Sequence, residues 1–196
     1  MSRHDHGHAS LLEAFSAITL ELQRLAQNKD IEHFHHAALS CISQLLPFDS
    51  AWWGRAALID GLPEEHHSYL YKLPRSYLPD WQSIRHIDVT VGKVHDNLGQ
   101  AVIVDMRNPA SGPGLNWLGE LYGIGQLLCV AYVDPQTHLS DHLTVYRAPD
   151  APCFTGQDCL LLNNLMLHLV AAVSANQIRT LVAMRETLTS PRNLAL

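Results

Sequence analysis

The segment from Gln126 to Ala148 constrains the chain most. It reads QLLCVAYV, then a polar turn from Asp134 to Ser140, then DHLTVYRA. The first run is a strong strand. In the second, Leu143 and Val145 alternate with Thr144 and Tyr146, the period of a strand with two different faces. Strands joined by so short a turn run antiparallel. A second pair has the same form: Phe48 to Ile59 (FDSAWWGRAALI), the turn signal Asp60-Gly61, and His67 to Tyr71 (HSYLY). Trp53 and Arg55 share one side of the first strand, and Trp52, Gly54 and Ala56 share the other. Ala101 to Met106 (AVIVDM) reads as a further, buried strand.

Helical periods surround these strands. Leu11, Phe15, Ile18, Leu22 and Leu25 mark a helix over Ser10–Gln27, and Asp30 caps a second that stops at Pro47. Leu115 to Tyr122 is a short helix ended by Gly123. Thr155 caps a closing helix with Leu161, Leu162, Leu165, Leu169, Ala172 and Val173 on its apolar face, running to Met184. The expected class is α+β: an antiparallel five- or six-stranded sheet with helices on both faces. A chain of 196 residues suits one domain. Residues 10–184 are assigned to it, 1–9 to a disordered His-rich tail and 185–196 to a linker.

Composition excludes several functions. With 47% hydrophobic and 16% charged residues the chain is globular. A net charge of -6 and no basic run leave no footprint for nucleic acid on this chain. Cys41, Cys129, Cys153 and Cys159 form no C-x-x-C pair and read as reduced thiols, although a Cys153–Cys159 bridge stays open. No signal peptide is visible, and the longest apolar run, Leu160 to Val173, is interrupted by Asn163, Asn164 and His168. A cytoplasmic protein without membrane contact is the expectation. The 13 histidines raise a haem or metal sensor as an alternative, with His66, His67, His95, His138 and His142 near the expected pocket side or its loops. No pair has H-x-x-x-H spacing with a third ligand, so no metal or other cofactor is assigned. Nucleotide-binding, hydrolase and metalloprotease motifs are absent, and an enzyme is not expected.

The chemistry-bearing stretch is Leu73 to Val91, LPRSYLPDWQSIRHIDVTV. Tyr77 and Trp81 are four apart. With Pro79 in the first turn of a helix, both rings share a face. An aromatic pair followed by Asp88 can enclose an apolar ligand and fix its polar end. The alternative is that Tyr77 and Trp81 are core and Asp88 is a helix cap.

Three segments carry a family resemblance: LLPFDSAWWG, YLPDWQSIRHIDVTV, and WLGELYGIGQLLCVAYVDPQTHLSDHLTVYRA followed by LLNNLMLHLVAAV. In this order they resemble the N-terminal ligand-sensing domain of LuxR-type bacterial transcription regulators, whose fold is similar to GAF and PAS sensors. The resemblance spans roughly residues 34–181. It implies an α-β-α sandwich with a pocket between the sheet and the helices of residues 74–122. It also implies that Tyr77 and Trp81 cover a ligand's polar head and that Asp88 accepts its N–H. Trp53, Tyr69, Tyr71, Trp117, Cys129 and Tyr146 are the further lining candidates. The chain departs from the lactone-binding members in three ways. The spacing from Trp81 to Asp88 is shorter, Val89 replaces a proline, and AVIVDM lacks a tryptophan. A ligand other than an acyl-homoserine lactone is therefore expected. The resemblance further implies a homodimer that meets DNA only through a helix-turn-helix domain not present in this chain. A ligand-free dimerisation module is the remaining alternative.

Overall fold

The computed structural model describes residues 3–59 and 62–189. The expected turn at Asp60-Gly61 and the end of the linker lie outside the described residues. The elements are α1 (Arg3–Asn28), α2 (Ile31–Ile42), β1 (Ser50–Ile59), β2 (Leu62–Tyr71), α3 (Tyr77–Ile84), α4 (Val89–His95), β3 (Val102–Asp105), α5 (Pro113–Tyr122), β4 (Gln126–Val133), β5 (Leu139–Arg147) and α6 (Gly156–Thr189). The class is the expected α+β, with a five-stranded antiparallel sheet in the order β2-β1-β5-β4-β3.

The chain divides into two compact units, residues 1–45 with 168–196, and residues 46–167. In the first, Leu22, Leu25, Phe34, Ala38, Leu169 and Ala172 are buried. Asp30 caps α2 as expected, accepting from His33 N at 2.9 Å. Asn176 donates from Nδ2 to the carbonyls of Ala26 and Lys29 at 3.1 and 2.8 Å. These are carbonyls at the open end of α1, which need partners from outside the helix. Helix α1 begins at Arg3, so the stretch expected as a disordered tail continues the helix. Adding residues to a formed helix is far easier than starting one.

The second unit carries the sheet. Helices α3, α4 and α5 cover one face, where Trp52, Tyr77, Trp81, Val94, Leu118, Leu127 and Tyr146 belong to one apolar cluster. Gly123 ends α5 in the left-handed conformation (φ 64°), which glycine adopts without a side-chain clash. Strand β2 is longer than its apolar pattern suggests, because Pro63, Glu64 and Glu65 also pair with β1. It is an edge strand, where proline and charge are tolerated. Asn163, one of the polar residues interrupting the apolar run of α6, holds the strand edge: its Oδ1 accepts from Ala101 N at 2.6 Å. By length and composition alone, α6 is apolar enough to cross a membrane. Its Leu162, Leu165, Met166, Leu169, Ala172 and Val173 are buried in the protein, as in a core helix. All four cysteines are free thiols.

Candidate functional site

Small side chains make room on the covered face of the sheet. On β1 the row is Trp52, Gly54, Ala56. Beside it on β5 run Thr144, His142 and Ser140, and on β4 Cys129 and Ala131. Alanine, serine and glycine cannot fill the space that Trp52 leaves under the helices. The result is a cavity of about 90 Å³. Its roof is Trp81 of α3 together with Thr90, Val91, Val94 and His95 of α4, and Asp88, Pro63 and Glu65 complete the wall. The lining is mostly apolar with a few convergent polar groups, the composition of a small-molecule site.

The first polar group is Asp88. Its Oδ1 accepts from Thr90 N at 2.7 Å and caps α4. Its Oδ2 accepts from Trp81 Nε1 at 2.9 Å. Burial raises the Asp88 carboxyl above the ordinary aspartate range, and the bonds from Trp81 and Thr90 oppose that rise. The Thr90 hydroxyl is buried beside the Asp88 carboxyl and makes no well-aligned hydrogen bond. Such a group is costly unless something binds it.

A second polar group also borders Trp52. Glu65 Oε1 meets His142 Nε2 at 3.0 Å, with side chains 6% and 13% exposed. Ser68 Oγ donates to Glu65 Oε2 at 2.9 Å and accepts from Trp52 Nε1 at 3.0 Å. The Trp52 ring stands edge-on to both Trp81 and His142, with centroids 4.6 and 4.7 Å away.

The candidates named from the sequence fall into groups. Trp81, Asp88 and Cys129 line the cavity. Tyr77 and Tyr146 stand behind it in the same cluster, their hydroxyls joined at 2.7 Å. Burial drives both phenols well above their usual range. Trp53, Tyr69 and Tyr71 do not reach the cavity. Trp53 pairs with Tyr69 and Ala51 with Tyr71, so these rings stand on the opposite face from Trp52, one residue out of phase. Trp117 is 42% exposed on α5 and does not line the cavity either. The Cys129 thiol accepts from Thr144 Oγ1 at 3.1 Å, and burial pushes it up to about 12, so it stays protonated and is a poor nucleophile. Of the histidines, His95 and His142 reach the cavity. No group of three or more His, Cys, Asp or Glu among the described residues could hold a metal.

Trp52, Glu65 and Thr90 were not singled out from the sequence as pocket residues, and His95 and His142 were placed near the pocket side only as metal-ligand candidates. The Trp52-Gly54-Ala56 alternation was the one available signal, since a large ring beside two small residues leaves space. Glu65 and His142 lie 77 positions apart and meet only through the register of three strands.

No family model matches the sequence, and no curated protein matches it. Solved structures do match in fold. An N-acylhomoserine lactone-dependent LuxR family transcription factor, CepR2 of Burkholderia cenocepacia, aligns with a TM-score of 0.61 at 15% identity, over 86% of this chain and 98% of that one. SdiA of Escherichia coli aligns with a TM-score of 0.61 at 16% identity, over 85% of this chain and 68% of that one. A phycoerythrobilin-bound GAF domain from a cyanobacterial phytochrome aligns with a TM-score of 0.55 at 12% identity, over 86% of this chain and 96% of that one. The chain thus has the fold shared by LuxR-type ligand-binding domains and GAF domains.

Proposed function

We propose that this chain is a small-molecule-sensing regulatory domain of a LuxR-type transcription regulator, and that it binds an apolar or aromatic ligand in the cavity walled by Trp52, Trp81 and Asp88. One observation carries the reading: a carboxylate is held at the rim of an apolar hollow by an indole N–H and a helix N-terminus. A group fixed in this way can accept a ligand N–H or O–H without reorganising. The neighbours in fold support sensing over catalysis. Ligand favours one packing of α3 and α4 over another, and that preference is passed on as a population shift. The exposed Leu160, Leu167, Ile178 and Leu181 of α6 support pairing with a second copy. DNA contact belongs to a helix-turn-helix unit outside these residues. The metal-sensor alternative has no ligand cluster among the described residues to support it.

A thermal-shift screen across metabolite classes tests the reading. Apolar or aromatic compounds with a donor group raise the midpoint in the wild type and fail to do so in D88N. A screen in which no class stabilises the wild type overturns it.

A further inference from the structure

The cavity lining holds two carboxyl groups, Asp88 and Glu65, and two histidines, His95 and His142, with no Lys or Arg. Asp88 is bonded to Trp81 and Glu65 to His142, and the Trp52 ring stands edge-on to both Trp81 and His142. The Glu65–His142 contact is a built feature. Glu65 is held by two donors, His142 Nε2 and Ser68 Oγ. The backbone makes way for it: a Cβ on Gly54 would come within 2.3 Å of His142 Nε2 and 2.6 Å of Glu65 Oε2. A buried, hydrogen-bonded Glu–His contact is seldom the most stabilising way to fill such a place, so its presence beside a hollow points to recognition.

We infer that the Glu65–His142 pair is a second recognition element, and that the cavity selects a small aromatic alcohol or amine with hydrogen-bond donors at both ends while rejecting carboxylates and phosphates. This rests on the reading of the cavity as a ligand site. A carboxylate has about four acceptor positions, and Glu65 uses one on each oxygen for its protein partners. The remaining positions accept a ligand O–H or N–H. A carboxylate or phosphate placed there would bring no donor, leaving the free acceptor positions of Glu65 and Asp88 unmatched and setting its own oxygens against theirs. Val91, Val94 and Ala131 line the same cavity as Trp52 with apolar side chains.

The test uses matched trios that differ only at the end group: 2-(4-hydroxyphenyl)ethanol, tyramine and 4-hydroxyphenylacetate, and the corresponding indole alcohol, amine and acetate. Binding is read by calorimetry on wild type and on the E65Q/H142Q double variant, which keeps a hydrogen bond but removes the charge. In wild type the alcohol or amine member binds at least about tenfold more tightly than the carboxylate, the scale of one hydrogen bond to a charged group. In the double variant that preference shrinks. S68A, which removes one of the two donors to Glu65 together with the acceptor of Trp52 Nε1, shrinks it too and serves if the double variant does not fold. Equal binding of the carboxylates, or a preference unchanged in the variants, overturns the inference and leaves the sensing reading standing. No binding by any member also overturns it, and the metabolite screen then decides the sensing reading separately.

Discussion

Trp81 donates its indole N–H to Asp88 at 2.9 Å, and the same carboxylate caps the next helix through Thr90. Two roles that looked like alternatives in the sequence, helix cap and pocket wall, are one arrangement. The bond ties α3 to the start of α4, so the roof of the cavity is fixed at the point where a ligand's polar end would sit. W81F removes the donor and keeps an aromatic ring. It is expected to lower unfolding free energy by about 1.5–3 kcal/mol, the range for a hydrogen bond to a charged group. Urea denaturation measures this. A loss well under 0.5 kcal/mol would show that the bond is not formed in solution.

Asp88 also sets a pH dependence. Burial, only partly offset by the bonds from Trp81 and Thr90, raises its folded-state pKa above the unfolded value. The folded protein therefore holds the proton more tightly. Stability from this group is fully present below the ordinary aspartate range and is lost as pH rises through the raised folded-state value. The difference in unfolding free energy between wild type and D88N should fall as pH is raised across that window. A difference that is flat with pH, or that grows, contradicts the assignment.

The strands and the two hairpins were legible because period-two patterns and short turns leave few choices, whereas the β1–β5 and β3–β4 pairings that complete the sheet came only from the structure. Gln126–Val133 was read to its observed ends. The site was legible only in part. Trp81 and Asp88 are local, seven positions apart, and their residue types marked the stretch, although the bond between them was not foreseen. The choice of Trp53 over Trp52 shows the limit. Alternation groups Trp52 with Gly54 and Ala56 but does not say which face is hollow. Tyr69 and Tyr71 then followed Trp53 to the opposite face. Trp117 was chosen by residue type, and an amphipathic period alone did not show that this ring points outward. Glu65 lay in a stretch whose charges and proline suggested no strand, and edge pairing with β1 decided otherwise.

Behind the cavity, Tyr77 and Tyr146 share one hydrogen bond at 2.7 Å between buried hydroxyls. Y77F leaves the Tyr146 hydroxyl without that partner and should cost about 1–3 kcal/mol. Y77F/Y146F removes both hydroxyls and should be more stable than the sum of the two single variants predicts. Additive losses would indicate that each hydroxyl has another partner.

Gly54 makes a further test, because an added methyl must displace the Glu65–His142 pair. G54A should destabilise the protein by about 1–3 kcal/mol, where alanine in an open strand position would normally help. Chemical denaturation reads the sign directly. A stabilised G54A would mean that the pair can part freely.

The central claim is that the hollow beside Trp52 holds a small molecule anchored on Asp88. Native mass spectrometry of protein purified from cells addresses it most directly, with wild type and D88N compared side by side. Wild type should carry an added small-molecule mass that is released on denaturation, and D88N should carry less of it or none. The same added mass at the same occupancy in both proteins would contradict the account.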